Sequence, residues 1–289
     1  MVGSQFYSAD VTVVGAGVMG MMSALELAEA GLSVLLFDKG QAGQEASWAG
    51  GGIISPLYPW RYAPPITALA TWSQQVFPDL IASLNESTGI DAELSTEGML
   101  VTATHEREKA LAWGVGLSPR VVEISDEDAR SLEPNVRLDE TPLWMPGVSS
   151  VRNSRMGRAL RRACSNHPRI RLIENREVIL SGDLDSPKIS SQGQCYASDR
   201  VVLAAGAWTG NICAGVKVSC PIKPMKGQML LFGQCYLVNR VVLAKGRYAI
   251  PRADGRIVFG STLEDVGFER IPDRNAFESL YASALSMIP

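Results

Sequence analysis

The chain has 289 residues, 46% hydrophobic and 20% charged, with 27 basic against 30 acidic side chains. That balance, with no block of like charges, excludes an electrostatic binder of nucleic acid or of an acidic membrane surface, and the length suits one or two globular domains. Five cysteines without a C-x-x-C pair read as reduced thiols of a cytoplasmic protein, and two histidines, His105 and His167, read as surface residues that furnish neither a metal site nor a Ser/His/Asp triad.

Met1 to Asp10 lacks the basic and apolar regions of a secretory signal. Val11 to Leu25 is the most apolar stretch, but it is too short for a membrane span, glycines interrupt it and Glu26 follows it. Asp10 to Lys39 carries the main signal. An apolar strand, Val11 to Val14, enters the turn Gly15-Ala16-Gly17-Val18-Met19-Gly20, a helix-period segment runs to Ala30, and Leu32 to Phe37 forms a second strand ending at Asp38. Gly20 and Asp38 stand 38 − 20 = 18 positions apart, close to the ~20 of a dinucleotide-binding unit.

In such a unit Gly15 turns the chain sharply, Gly17 admits a pyrophosphate to the backbone, and Gly20 lets the helix approach the sheet. The helix N-terminus offers unpaired N–H groups to phosphate. Asp38 is placed to accept hydrogen bonds from both ribose hydroxyls, and its charge disfavours NADP. The alternative is a buried glycine turn that binds nothing; strand, helix and acid together favour a dinucleotide without saying which.

Gly50-Gly51-Gly52 precedes Ile53 and Ile54; the apolar pair favours a backbone wall against a flat ring over a solvated linker. Leu69, Trp72, Val76, Leu80 and Leu84 recur at helical spacing and predict a core stripe, with Pro78 breaking or kinking the helix. Thr96 to Thr104 predicts a strand, Ser125 with Asp128 a helix start, and Pro134 the end of that helix. His105 falls on a solvated helix face. A helix is predicted from about Asn153 to Asn166, with Met156, Leu160 and Ala163 inward and Arg158, Arg161 and Arg162 solvated.

Ile170 to Ile173, Glu177 to Leu180 and Gln194 to Ala197 read as short strands. Val201 to Ala205 reads as a parallel strand buried on both faces, whose small end at Ala204, Ala205 and Gly206 leaves room for a ligand or for tight helix packing. Past Gly215 antiparallel strands are predicted at Met229 to Phe232, Tyr248 to Arg252 and Ile257 to Gly260, the last two joined by a hairpin, and then a closing helix from Phe277 to Met287.

Taken together, Gly15 to Gly20, Ala46 to Ile53, Val202 to Trp208, Pro221 to Gln228 and Tyr248 to Thr262 resemble the FAD-dependent D-amino-acid oxidase superfamily, and within it the glycine oxidases of thiamine biosynthesis. The resemblance implies an α/β fold: a Rossmann-like FAD-binding domain (8–85 plus 150–215) and a second, antiparallel-sheet domain for substrate and oligomer contacts (86–149 plus 216–289). It implies noncovalent FAD, with Val18 and Met19 at the pyrophosphate, Asp38 and Lys39 at the adenosine, Ala46 and Ser47 along the phosphates, Gly51, Gly52 and Ile53 at the isoalloxazine, the Val178 backbone near the adenine and Gly206 at the cofactor. Tyr248 matches a tyrosine that binds the substrate carboxylate.

The implied reaction is oxidation of glycine, another small amine or a D-amino acid to an imine or 2-oxo acid, with O₂ as oxidant and hydrogen peroxide as product, in a homo-oligomer and without a catalytic side chain. Relatives carry a Gly-Leu-Arg-Pro segment after the closing helix, whose arginine grips the carboxylate. The sequence reads Met287-Ile288-Pro289 before that point, so weaker FAD retention and little turnover are expected of these residues alone. Sarcosine or D-amino-acid oxidation, and a flavin-binding module without turnover, are the alternatives.

Overall fold

A computed structural model describes residues 7–115, 120–183 and 186–289; Met1 to Phe6, part of the N-terminal reading above, lie outside the described residues. The strands are β1 (Tyr7–Val14), β2 (Val34–Phe37), β3 (Ile53–Ile54), β4 (Met99–Ala103), β5 (Val122–Glu123), β6 (Leu143–Met145), β7 (Ser149–Ser150) and β8 (Ile170–Ile173). They continue as β9 (Ile179–Asp183), β10 (Ser186–Ser191), β11 (Gln194–Leu203), β12 (Met229–Phe232), β13 (Val241–Ala244), β14 (Arg247–Pro251) and β15 (Ile257–Gly260). The helices are α1 (Val18–Glu29), α2 (Ala46–Ala49), α3 (Pro64–Thr88), α4 (Arg107–Gly114), α5 (Asp126–Leu132), α6 (Asn153–Asn166), α7 (Thr209–Ala214) and α8 (Arg274–Met287).

Two compact units share the chain: residues up to Gly50 with Ser83–Ala92 and Asn153–Met225, and Gly51–Ala82 with Glu93–Arg152 and Lys226–Pro289. The segment 51–82, grouped by sequence with the first domain, counts with the second unit.

The first unit is built on a six-stranded sheet of order β8-β2-β1-β11-β10-β9. Its first four strands are parallel, with Val11 opposite Val34 and Arg200, and Val14 opposite Phe37 and Leu203. The β9–β10–β11 end is an antiparallel meander. Residues 194–203 form one ten-residue strand rather than two short ones, because the polar Ser198 and Arg200 stay paired to β1. Its Val201 to Ala205 end is half-buried, not buried on both faces as expected. The strand predicted at Glu177 to Leu180 lies instead at Ile179–Asp183.

Helix α1 buries Gly20, Met21, Ala24 and Ala28, a narrow stripe of mostly small residues that lets it lie close to α6 and the sheet. On α6, Met156 and Leu160 are buried as predicted, with Cys164 rather than the half-buried Ala163 continuing the stripe. Two of its arginines stay at the surface, as expected, and also find partners: Arg161 pairs with Glu174, and Arg162 donates to the Thr88 carbonyl.

The second unit holds a seven-stranded sheet, β12-β15-β14-β13-β4-β6-β5. It is antiparallel as predicted except between β13 and β4, which run parallel. Strand β13 escaped the sequence reading because Val241 to Ala244 are all buried and show no alternation. Along β13 and β14 successive side chains feed two cores: Val241, Leu243, Tyr248 and Ile250 one, Val242, Ala244 and Ala249 the other. Leu280, Ala284 and Met287 of α8 cover the second core.

Helix α3 runs through Pro78 without a break. Its predicted core stripe holds only in part: Leu84 is buried, Val76 and Leu80 are half-buried, and Leu69 and Trp72 are exposed at 67% and 63%. His105 sits in a turn before α4 rather than on a helix, and His167 is half-buried, 3.4 Å from Glu29. No helix among the described residues is long and apolar enough to cross a membrane.

Candidate cofactor site

At the carboxyl ends of β1 and β2, the Gly15 to Gly20 turn is tied to both strands. Gly15 N–H donates to the Phe37 carbonyl at 2.8 Å, and Ala204 N–H to the Val14 carbonyl at 2.8 Å. Gly15 has φ +103°, and a Cβ there would lie 2.4 Å from the Ala204 oxygen. A Cβ on Gly20 would stand 1.7 Å from the Gly15 oxygen. Both positions therefore require glycine before any ligand is considered.

Gly17 differs. Its added Cβ would meet only the Ser47 hydroxyl, at 3.2 Å, so bare backbone is presented there. The Ser47 Oγ accepts the Val18 N–H at 2.9 Å, capping α1 from 29 residues away and leaving the hydroxyl proton to donate to a phosphate oxygen. Other first-turn amides, those of Met19 and Gly20, have no acceptor one turn earlier in the helix. The Met19 side chain projects outward, 69% exposed.

Asp38 has a second task that the sequence did not announce. Its Oδ2 accepts the Ala16 N–H at 2.8 Å and its Oδ1 the Gly40 N–H at 2.8 Å, so one carboxylate braces the glycine turn and the loop after β2. Each oxygen retains a lone pair for a ribose hydroxyl. Lys39 lies over the Trp208 ring, 3.3 Å from its centroid. Val178 is buried with Val14, Leu35 and Phe37, which leaves only its backbone for a ligand. Gly206, φ +54°, is exposed.

Sequence reasoning missed a supporting pair. Arg161 donates to Glu174 through Nε at 2.8 Å and Nη2 at 2.6 Å, and Glu174 Oε1 also accepts the Ala42 N–H at 2.7 Å. This bidentate contact fixes the loop that carries Gly40 to Gly43, and no local motif signals it. The Arg161 hydrogen bond holds the Glu174 carboxyl below its ordinary 4.5. A depressed folded value means a stability contribution present above 4.5 and lost as pH falls through the lowered value. Glu174→Gln is therefore expected to flatten part of the acid limb of a thermal-unfolding series and to weaken flavin binding; an unchanged acid limb would refute the brace.

In the second unit the remaining glycines meet the predicted tyrosine. A Cβ on Gly51 would lie 2.7 Å from Ile250 Cδ1 and 3.3 Å from the Tyr248 ring, while Gly52 has φ +85°. Ile53 pairs with Ser150 across β3 and β7. The Tyr248 hydroxyl donates to the Met229 thioether at 3.3 Å, a weak acceptor. Arg252 donates to the Gly51 carbonyl at 2.8 Å and the Val151 carbonyl at 2.9 Å, and burial pushes its guanidinium down to about 10. It is structural, and it holds the Gly51 backbone in place.

Glycine turn, free helix amides, capping hydroxyl and ribose-ready carboxylate fit a dinucleotide, which makes the first unit a Rossmann-type cofactor domain of an oxidoreductase. Residues 10–289 match the family described as FAD dependent oxidoreductase, and the chain belongs to that family. The glycine oxidase of Pseudomonas aeruginosa strain PAO1 is 44% identical over 287 residues, covering 98% of this chain and 79% of that protein. The glycine oxidase of Pseudomonas putida strain KT2440 is 40% identical, covering 98% and 78%. The crystal structure of glycine oxidase from Geobacillus kaustophilus superposes with a TM-score of 0.89 at 27% identity, covering 98% and 79%. The expectation of an FAD-dependent oxidoreductase with a D-amino-acid oxidase-like fold holds.

Proposed function

We propose that the protein oxidises glycine and other small amines or D-amino acids to the imine or 2-oxo acid, with O₂ as acceptor and hydrogen peroxide as product, in the cytoplasm and in support of thiamine thiazole synthesis. The likeness to glycine oxidases over nearly the whole chain supports this, and the observation that carries it is the Tyr248 hydroxyl, buried beside Gly51 with a thioether as its acceptor. A thioether yields readily to a carboxylate, so the side chain is ready to bind an amino acid without breaking a strong bond.

FAD, held noncovalently, would supply the hydride-accepting chemistry and the reactivity toward O₂. The chain's part is to bind and orient. Val18, Met19, Ala46 and Ser47 would hold the phosphates, Asp38 and Lys39 the adenosine, and Gly51, Gly52 and Ile53 would face the ring, with the Gly51 carbonyl held by Arg252. Tyr248 directs the substrate carboxylate, and with an amine bound neutral no side-chain base is required.

Anaerobic mixing of glycine with a flavin-loaded version extended through the Gly-Leu-Arg-Pro segment should bleach the flavin, with little turnover from these 289 residues alone; an unchanged visible spectrum of the extended version would count against the reading. Tyr248→Phe removes a hydrogen bond to a charged group, a contribution of about 1.5–3 kcal/mol, so KM for glycine should rise about tenfold or more with a smaller change in kcat. Specificity constants for glycine, sarcosine and D-alanine separate the substrate alternatives.

A further inference from the structure

We propose that Cys213 and Cys220 form an oxidisable dithiol that a peroxide converts reversibly to an intramolecular disulfide. Cys213 lies in the last turn of α7 and is buried, while Cys220 is half-buried on the segment that returns past the same helix. Two bonds tighten the return: the Val216 and Val218 N–H groups both donate to the Cys213 carbonyl at 3.1 Å. A Cβ on Gly210 would lie 3.0 Å from the Ile222 oxygen and 3.7 Å from the Cys220 oxygen, so the segment runs directly along α7. The Cys220 thiol is close enough to act on the Cys213 thiol.

Cys164 makes a useful contrast: it is buried, its thiol is directed at the Met21 carbonyl at 3.6 Å, and burial pushes it up to about 12. It is inert.

The more accessible Cys220 meets the oxidant first. Its sulfur attacks one peroxide oxygen, the O–O bond breaks, and Cys220 sulfenic acid and one water result. Burial, and after it the charge and hydrogen bond of Cys220, push the Cys213 thiol up. Cys213 then gives up its proton and attacks the Cys220 sulfur; the S–O bond breaks, and hydroxide leaves with that proton as a second water. The two thiols lose two electrons and the peroxide gains them. An oxidase of the kind proposed above would release peroxide, but the dithiol rests on its own geometry.

The test uses the reduced 289-residue protein, a titration with added hydrogen peroxide, alkylation and peptide mass mapping. The expected result is loss of two of the five thiols, a Cys213–Cys220 linked peptide two hydrogens lighter, and full recovery with dithiothreitol. Cys213→Ser should trap Cys220 as a sulfenic acid that a dione reagent captures, and Cys195→Ser should leave the linkage intact. Because the mapping is made on the unaltered protein, a variant that misfolds does not spoil the test. Cys220 passing to sulfinic acid while Cys213 remains alkylatable, or disulfides joining only separate molecules through Cys195, would overturn the proposal.

Discussion

Gly20→Ala is expected to cost the protein its flavin. The new methyl group would sit 1.7 Å from the Gly15 oxygen, 2.9 Å from its carbon and 3.3 Å from the Ala204 side chain. Two of those atoms are backbone of the very turn that must receive the diphosphate, so α1 has to move away from β1. Overpacking of this kind costs about 1–3 kcal/mol, occasionally more, and since about 1.4 kcal/mol corresponds to tenfold in affinity, the Kd for FAD should rise about tenfold or more. Gly17→Ala provides the internal comparison. There the methyl group meets only the Ser47 hydroxyl, at 3.2 Å, so the fold should be nearly unaffected while the approach of phosphate suffers. Fluorescence titration with FAD and thermal unfolding of both variants check the ranking; a Gly20→Ala protein that binds FAD as tightly as the parent would disprove the packing account.

Glu133→Ala should be the most damaging single change in the second unit. Glu133 is fully buried after α5 and accepts the Asn239 N–H at 2.9 Å, the Arg240 N–H at 2.8 Å and the Arg240 Nε–H at 3.1 Å. Removing it strands a guanidinium whose side chain is only 14% exposed. Breaking one side of such a buried pair costs about 3–5 kcal/mol, a large share of the stability of an ordinary domain. Burial raises the Glu133 carboxyl above its ordinary 4.5 even against these donors. A raised folded value means stability fully present below 4.5 and lost as pH rises through the folded value. The stability gap between the parent and Glu133→Gln should therefore narrow as pH rises from below 4.5. Urea unfolding across that range checks both statements, and a gap that widens would show the sign to be wrong.

The parts legible in the sequence were those whose signal is local. Gly15, Gly17, Gly20 and Asp38 lie within one strand–helix–strand unit, and the Ser125 cap accepts the Asp128 amide three residues on, as the motif implied. The parts that were not legible join distant residues. Arg152 bridges Glu93, 59 residues away, and Asp254, 102 away, and nothing in either neighbourhood foretells the meeting. Glu174 beside Arg161 is closer in sequence, yet its use as a loop brace depends on where β8 delivers it. Periodicity also has a limit of its own: Leu69 and Trp72 showed that α3 has an apolar face, but spacing does not say whether anything covers that face.

The order of strands in the first sheet bears on how the chain is made in the cell. Strand β1 emerges from the ribosome early, but the neighbour that closes its outer edge, β11, is complete only at Leu203. At about 5–20 residues per second, synthesis leaves that edge bare for on the order of ten to forty seconds. During this interval Val11 to Val14 present an unpaired apolar ribbon to any other nascent chain. Yield should consequently depend on chaperone supply and growth temperature more than the finished molecule's stability would suggest.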